Sequence, residues 1–416
     1  MCKKMNDRQP LPKTVMLVLP ELHPVPDIKG GSVELLVTNM LRENEKYNEL
    51  RFIVISIYDE YAVKYHFKNS KIYYYRDGWF DGDLVKGKKF LWGAYFAFQE
   101  KRKKLCKKIF RKTVQFDRRL FQCLRVAKKE RAEVLVFENF YYPGSYMPLI
   151  RYFDRENVYM HIHYHREEVL SDRRIVPNSI SISEFVKKEW AKDKSIAGKN
   201  KVVYNCIDSK KYDIVISASE KDRIKQELGI GPDEKAVVFC GRFIPQKGIK
   251  ELLDAFDILK GKSVKLILIG CYSYEKLNIT PYSKEMAARA EKMSNVVYLG
   301  YVPNAKIQDY YAVSDMMVIP SIWQEGAGLV TIEGMASGLP LIITDSGGMV
   351  EYVTDDCAVK VPINGELPQN LAAQIERLSN DAALCKKMGD AGKERAKKFN
   401  PKYFYDSYVR AVKGDK

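Results

Sequence analysis

Two carboxylates, Glu325 and Glu333, stand eight positions apart around the run Gly326-Ala327-Gly328-Leu329. An apolar strand leads into Pro320 and Ser321 before them, and a helical pattern carrying Glu333 follows. The helix start between the two acids offers unpaired backbone N–H groups and a positive dipole end, a ready site for an anion. The small residues there let phosphate approach the backbone closely. Eight residues cover roughly 12 Å if helical, and somewhat more where they are loop. That is about the length of a nucleotide diphosphate-sugar. One acid can meet sugar hydroxyls, the other ribose hydroxyls, and the diphosphate can lie on the helix end between them.

Upstream, Arg242 and Lys247 lie in Gly241-Arg242-Phe243-Ile244-Pro245-Gln246-Lys247-Gly248, directly after an apolar strand. Ligands of open α/β sheets collect at such strand ends. Two cations there can neutralise the two charges of a diphosphate, each charge-assisted contact contributing about 1.5–3 kcal/mol. Alone, this stretch would read as a solvated turn; the acids downstream give it a role. Three of the five histidines alternate in Met160-His161-Ile162-His163-Tyr164-His165. His163 is preferred as a site residue because the residues after it leave the strand. Alternating histidines can hold a metal, but the spacing fixes no Asp or Cys partner, so no metal and no cofactor is expected. Asp81-Gly82-Asp83 imitates a metal-binding D-x-D, yet it sits in a glycine-rich loop and not behind a strand.

These residues need a frame. Apolar runs at 15–19, 51–57, 134–137, 158–162, 179–183 and 201–204 read as strands, with a helix from 33 to 41 after the loop glycines Gly30 and Gly31. Residues 71–89, rich in Tyr, Gly and Asp, read as irregular. A second series has strands at 236–240, 264–269, 296–299, 316–319 and 341–344, with helices at 249–260 and 306–311. Continuous apolar strands alternating with helices predict doubly wound parallel sheets, here two Rossmann-like domains facing across a cleft. The expected boundary gives 1–208 and 209–399, with the tail helix of 400–416, broken off at Asn400-Pro401, crossing back to the first domain.

The 416 residues allow two or three domains, and 46% hydrophobic with 29% charged residues is ordinary for a globular protein. Eight scattered cysteines without a C-x-x-C pair suit a reducing compartment. No apolar run approaches the ~20 residues of a membrane span, and the polar start lacks a secretory h-region, so a soluble or peripheral cytoplasmic protein is expected. The net charge of +16 is local: residues 86–131 hold 17 Lys/Arg against three acids. Helical spacing runs through 93–129, with an aromatic cluster that includes Trp92 beside Lys101, Lys104, Lys108 and Arg111. This is the pattern of an interfacial anchor on anionic lipid at the inner face of the membrane. A domain helix with solvated charges remains the plain alternative. No recognition motif accompanies the charge, so nucleic acid is not an expected partner.

Four elements in order resemble the retaining glycosyltransferases of family 4, which have the GT-B fold. They are Lys29-Gly30-Gly31-Ser32-Val33-Glu34; Ser183-Glu184-Phe185-Val186-Lys187 with Val203-Tyr204-Asn205-Cys206-Ile207-Asp208; the Gly241–Gly248 stretch; and the paired acids. The resemblance covers nearly the whole chain. It implies that Arg242 and Lys247 hold the donor diphosphate as leaving group without a metal, that Glu333 binds both ribose hydroxyls, and that Glu325 and His163 face the transferred sugar. It also implies donor contacts from Gly30, Gly31, Gly326, Ala327, Gly328 and Leu329, and a UDP-sugar as the frequent donor, its base read near Tyr301-Val302. The family often has an aromatic residue at Ala327 and Ala at Gly334, so the room around the sugar differs here. The implied function is retaining, front-face transfer of a hexosyl unit to a glycan or lipid-linked acceptor in cell-surface polysaccharide or glycoconjugate synthesis. The alternatives are a catalytically silent scaffold at the membrane, or a sugar-nucleotide epimerase or hydrolase.

Overall fold

The computed structural model describes residues 12–20, 23–76, 118–139, 143–163, 176, 178–192, 199–214, 216–270 and 280–414. Seven strands build the first sheet: β1 (Lys13–Val18), β2 (Leu50–Ile57), β3 (Ser70–Tyr75), β4 (Val134–Glu138), β5 (Val158–Ile162), β6 (Asn178–Ser181) and β7 (Asn200–Val202). Their order is β3-β2-β1-β4-β5-β6-β7. The second sheet holds β8 (Lys235–Cys240), β9 (Val264–Ile269), β10 (Val296–Gly300), β11 (Met316–Ile319), β12 (Leu341–Thr344) and β13 (Ala358–Val361), in the order β10-β9-β8-β11-β12-β13. Every pairing is parallel. Both sheets are therefore the doubly wound layers that unbroken apolar strands require, covered on both faces. In each, the order reverses beside its first strand, β1 or β8, and loops at such switch points collect ligands.

Two strands differ from expectation. Ser70–Tyr75, at the start of the stretch read as irregular, is the edge strand β3; its Ile72 and three tyrosines suit a half-buried pleated surface. Ala358–Val361, an edge strand whose short apolar run is interrupted by the exposed Lys360, closes the far edge of the second sheet. The stretch expected to be helical over 93–129 is described only from the helix Arg118–Glu130 onward. Trp92, Lys101, Lys104, Lys108, Arg111, the Asp81-Gly82-Asp83 motif and His165 lie outside the described residues.

The last helix, Pro401–Lys413, starts at Asn400, whose side chain accepts from the Tyr403 N–H at 2.9 Å, with Pro401 in the first turn. Its Phe404, Tyr405, Tyr408 and Val412 pack on Leu17, Phe52, Val54 and Val136 of the first sheet. Tyr405 donates to Asn44 Oδ1 (2.7 Å) on the helix Ser32–Tyr47. Among the described residues no helix is long and apolar enough to cross a membrane.

Candidate functional site

β8 and β11 are neighbours, so the loops that follow them meet at one end of the second sheet. The turn Pro245–Lys247 after β8 brings the Lys247 Nζ to 2.5 Å from Glu325 Oε1, and Ser321 donates to the same oxygen at 2.8 Å. The backbone of Glu325 is held by a second loop: Gly348 N–H donates to its carbonyl at 2.6 Å. Gly347, with φ 56°, must be glycine, because a Cβ there would fall 2.3 Å from Glu325 O. Arg242, two residues beyond β8, is exposed. Gly326, Ala327 and Gly328 lead into the helix Leu329–Ala336, whose first turn carries no side-chain cap. The buried Thr331 hydroxyl in that turn has no hydrogen-bond partner among the described residues. Gly334 points away from this end; a Cβ on it would meet Met317 Sδ at 2.6 Å and Leu341 Cδ2 at 2.8 Å, so Met317 fills the space an alanine would take.

Glu333, on the same helix, accepts from Tyr311 at 3.0 Å and also from the Tyr212 hydroxyl. Burial raises its carboxyl above the ordinary value, and the two phenols pull it back. The Cys240 thiol nearby is pushed up to about 12, first by burial and then by the charge of Glu333. Both partners of this carboxylate are thus hydroxyl donors.

On the first sheet, Gly30 and Gly31 have φ 80° and 112° and open the helix Ser32–Tyr47. Glu34, in its first turn, is 3% exposed and its carboxyl is pushed up to about 7, chiefly by burial, with Asp27 and Glu138 adding to the rise. His163 follows β5 directly, with its side chain buried. The parallel register places Glu138 opposite His161, and His161 Nδ1 lies 2.7 Å from Glu138 Oε2. His163 Nε2 lies 3.5 Å from the same oxygen. Glu138, His161 and His163 thus offer three ligand-type atoms within 4.8 Å of one another. The carboxylate absent from the local spacing comes from the neighbouring strand. Both of its oxygens are already hydrogen-bonded, one to His161 and one to Tyr408.

The two halves are joined close to these loops. Ser183 donates to Gly326 O at 2.7 Å, and Tyr352 to Ile182 O at 2.7 Å. Glu351 accepts from the N–H groups of Glu184 (2.8 Å) and Phe185 (2.7 Å) and from the Tyr204 hydroxyl (3.0 Å). Ala327 packs against the apolar cores of both halves. Replacing Glu351 by Ala leaves two helix N–H groups and a phenol without their anion; the expected loss is about 2–4 kcal/mol. A lower urea midpoint with an unchanged slope would register it; an unchanged midpoint would contradict it. Of the residues that shape the site, Ser321, Tyr212, Tyr311, Glu138, Tyr408 and Glu351 carry no local signal; only strand register and tertiary packing select them.

Residues 220–395 match the family described as Glycosyl transferases group 1. Over 189 residues the chain is 31% identical to an uncharacterised glycosyltransferase of Methanocaldococcus jannaschii, covering 44% of this chain and 45% of that one. It is 28% identical over 203 residues to the lipopolysaccharide 1,2-N-acetylglucosaminetransferase of Salmonella typhimurium, covering 47% of this chain and 51% of that one. The chain spans about half the length of these curated relatives. Anabaena HepE, solved in complex with UDP, superposes with a TM-score of 0.68 over 96% of this chain and 99% of that one, at 18% identity. The fold is GT-B.

Proposed function

We propose that this chain, which carries a group 1 glycosyl transferase domain over residues 220–395, transfers a hexosyl unit from a nucleotide diphosphate-sugar, UDP-linked, to a glycan or lipid-linked acceptor, with retention and without a metal. The observation that carries this reading is the junction of Lys247 with Glu325 and Ser321 at the start of the helix that holds Glu333 between two phenols. A cation, a bare helix start and a hydroxyl-seeking carboxylate stand there in the order that diphosphate and ribose require. Glycosyltransferase relatives, one acting on lipopolysaccharide, and a UDP-bound neighbour of the same fold support it.

In this mechanism Arg242 and Lys247 stabilise the diphosphate as its bond to the anomeric carbon breaks. The acceptor oxygen bonds to that carbon on the departing face, and its proton passes to the leaving phosphate oxygen. Glu325 and His163 orient the sugar, while Gly30 and Gly31 let the first half close over the donor. The cell-surface product, cytoplasmic location and peripheral attachment through residues 90–131 belong to the same proposal.

The test is thermal stability against UDP, GDP, ADP and dTDP in excess chelator. A ligand that binds only the folded chain raises the midpoint. A rise with UDP, undiminished by the chelator and abolished in Arg242→Ala, is expected. No rise with any nucleotide at millimolar concentration would replace the transferase with a silent scaffold.

A further inference from the structure

We propose that Ser183, a residue of the first half, is a positioning residue for the site on the second: through Gly326 O it sets the loop that carries Glu325. The inference rests on the reading above, because that reading gives Glu325 its role.

Carbonyls of the loop after β11 are held from two sides. The Ser346 hydroxyl donates to Trp323 O, and the Gly348 N–H donates to Glu325 O at 2.6 Å. Both of these partners lie in the turn after β12, so the second half supplies them. Gly326 O accepts instead from the Ser183 hydroxyl, at 2.7 Å, across the junction of the halves. Ser183 is fully buried and stands two residues beyond β6. There it caps the helix Glu184–Trp190, its oxygen accepting from the Val186 N–H at 3.2 Å. A serine hydroxyl has one hydrogen to give, and here it goes to Gly326 O. One side chain thus starts a helix of the first half and fixes a peptide of the second.

The space around this bond is shaped for it. Gly348 has φ −80° and ψ −10°, a backbone that other residues also adopt, so conformation does not call for glycine. Space does: a Cβ on Gly348 would fall 2.2 Å from Gly326 O and 2.3 Å from Ser183 Oγ. The turn therefore makes room for a contact between the halves as well as for its own backbone. Three residues on, Glu351 accepts from the Glu184 and Phe185 N–H groups, which holds the helix that Ser183 begins against the same turn. Ala327, next in the loop, packs on both cores. The Gly326 carbonyl is one residue from Glu325, so releasing it loosens the backbone that aims the carboxylate. Lys247 and Ser321, which hold the carboxylate itself, belong to the second half and stay in place. Loss of Ser183 should accordingly disturb the aim of Glu325 and spare the nucleotide contacts.

The experiment compares full-length wild type with Ser183→Ala, first by amide hydrogen exchange of the resting protein. Exchange in peptides covering 324–330 should quicken about tenfold, while the strands of the second sheet keep their wild-type rates. The second readout is UDP release from UDP-glucose: kcat should fall about tenfold with KM little changed. On a Glu325→Gln background the same substitution should cost almost nothing more, because both changes act through one carboxylate. Unchanged exchange at 324–330 overturns the proposal, as does a rise spread evenly over the chain or a loss of turnover that adds to that of Glu325→Gln. Should Ser183→Ala fail to fold, Ser183→Cys, nearly the same size but a weak donor, carries the comparison with a smaller effect. The exchange measurement needs no substrate, so its outcome is separate from the nucleotide test of the transferase reading.

Discussion

Glu325→Gln is expected to lower turnover about a hundredfold or more while leaving nucleotide affinity unchanged or slightly tighter. The first half of this expectation follows from charge. In the proposed transfer Glu325 faces the sugar, and as the anomeric carbon loses its bond to phosphate it gains positive character. Removing a preorganised charge at such a centre typically costs about 10²–10³ in rate. The second half follows from Lys247, whose Nζ rests 2.5 Å from Glu325 Oε1. An incoming diphosphate must draw Lys247 from that partner. Both side chains are partly screened, 25% and 14% exposed, so the pair is worth only about 1 kcal/mol and its loss frees the cation at a gain of at most about fivefold in affinity. Nucleotide titration of the variant, followed by turnover with UDP-glucose, separates the two effects. Equal turnover would remove Glu325 from the mechanism, and a large loss of nucleotide affinity would mean that the carboxylate supports the loop more than the sugar.

The same pair marks how far the chain could be read from residue order. Strands such as β8 and β12 are continuous apolar runs with one fate, buried on both faces, so their existence and parallel pairing were legible. β3 was not, because at this sheet edge Lys71 is exposed and Ile72, Tyr73 and Tyr74 are all half-buried, so no period-2 alternation marks the strand and tyrosine-rich sequence resembles loop. Glu325, Lys247 and Glu333 were each legible as candidates from helix-start and strand-end chemistry. Their partners were not: Lys247 and Glu325 are 78 residues apart, Tyr311 and Glu333 22, and no local spacing states that they touch. The contact between Glu138 and His161 depends on the β4–β5 register, which a single sequence leaves undetermined. The alternating histidines were therefore visible while the carboxylate bonded to His161 was hidden.

Glu34→Gln is expected to stabilise the protein at pH 8 and to leave it unchanged at pH 4. The Glu34 carboxyl, pushed from 4.5 to about 7, binds its proton more tightly folded than unfolded. Between those values the folded state holds more protons, so stability falls as pH rises through them and the full penalty is present above about 7. A rise of that size corresponds to roughly 3 kcal/mol, and the side chain is too buried for solvent to screen much of it away. A neutral amide removes the penalty while preserving shape. Urea unfolding of both chains at pH 4 and pH 8 measures the difference; equal stability at pH 8 would show that the carboxyl is not confined as described. The position gives the result its interest. Glu34 lies beneath Gly31, where a Cβ would come 2.2 Å from Glu34 Oε2, and the charge of Glu138, which is hydrogen-bonded to His161, adds to its rise. A buried acid that weakens the fold at neutral pH is easily replaced unless activity needs it. The stabilised variant should therefore be the poorer enzyme, and its turnover relative to wild type tells whether the cost is kept for catalysis.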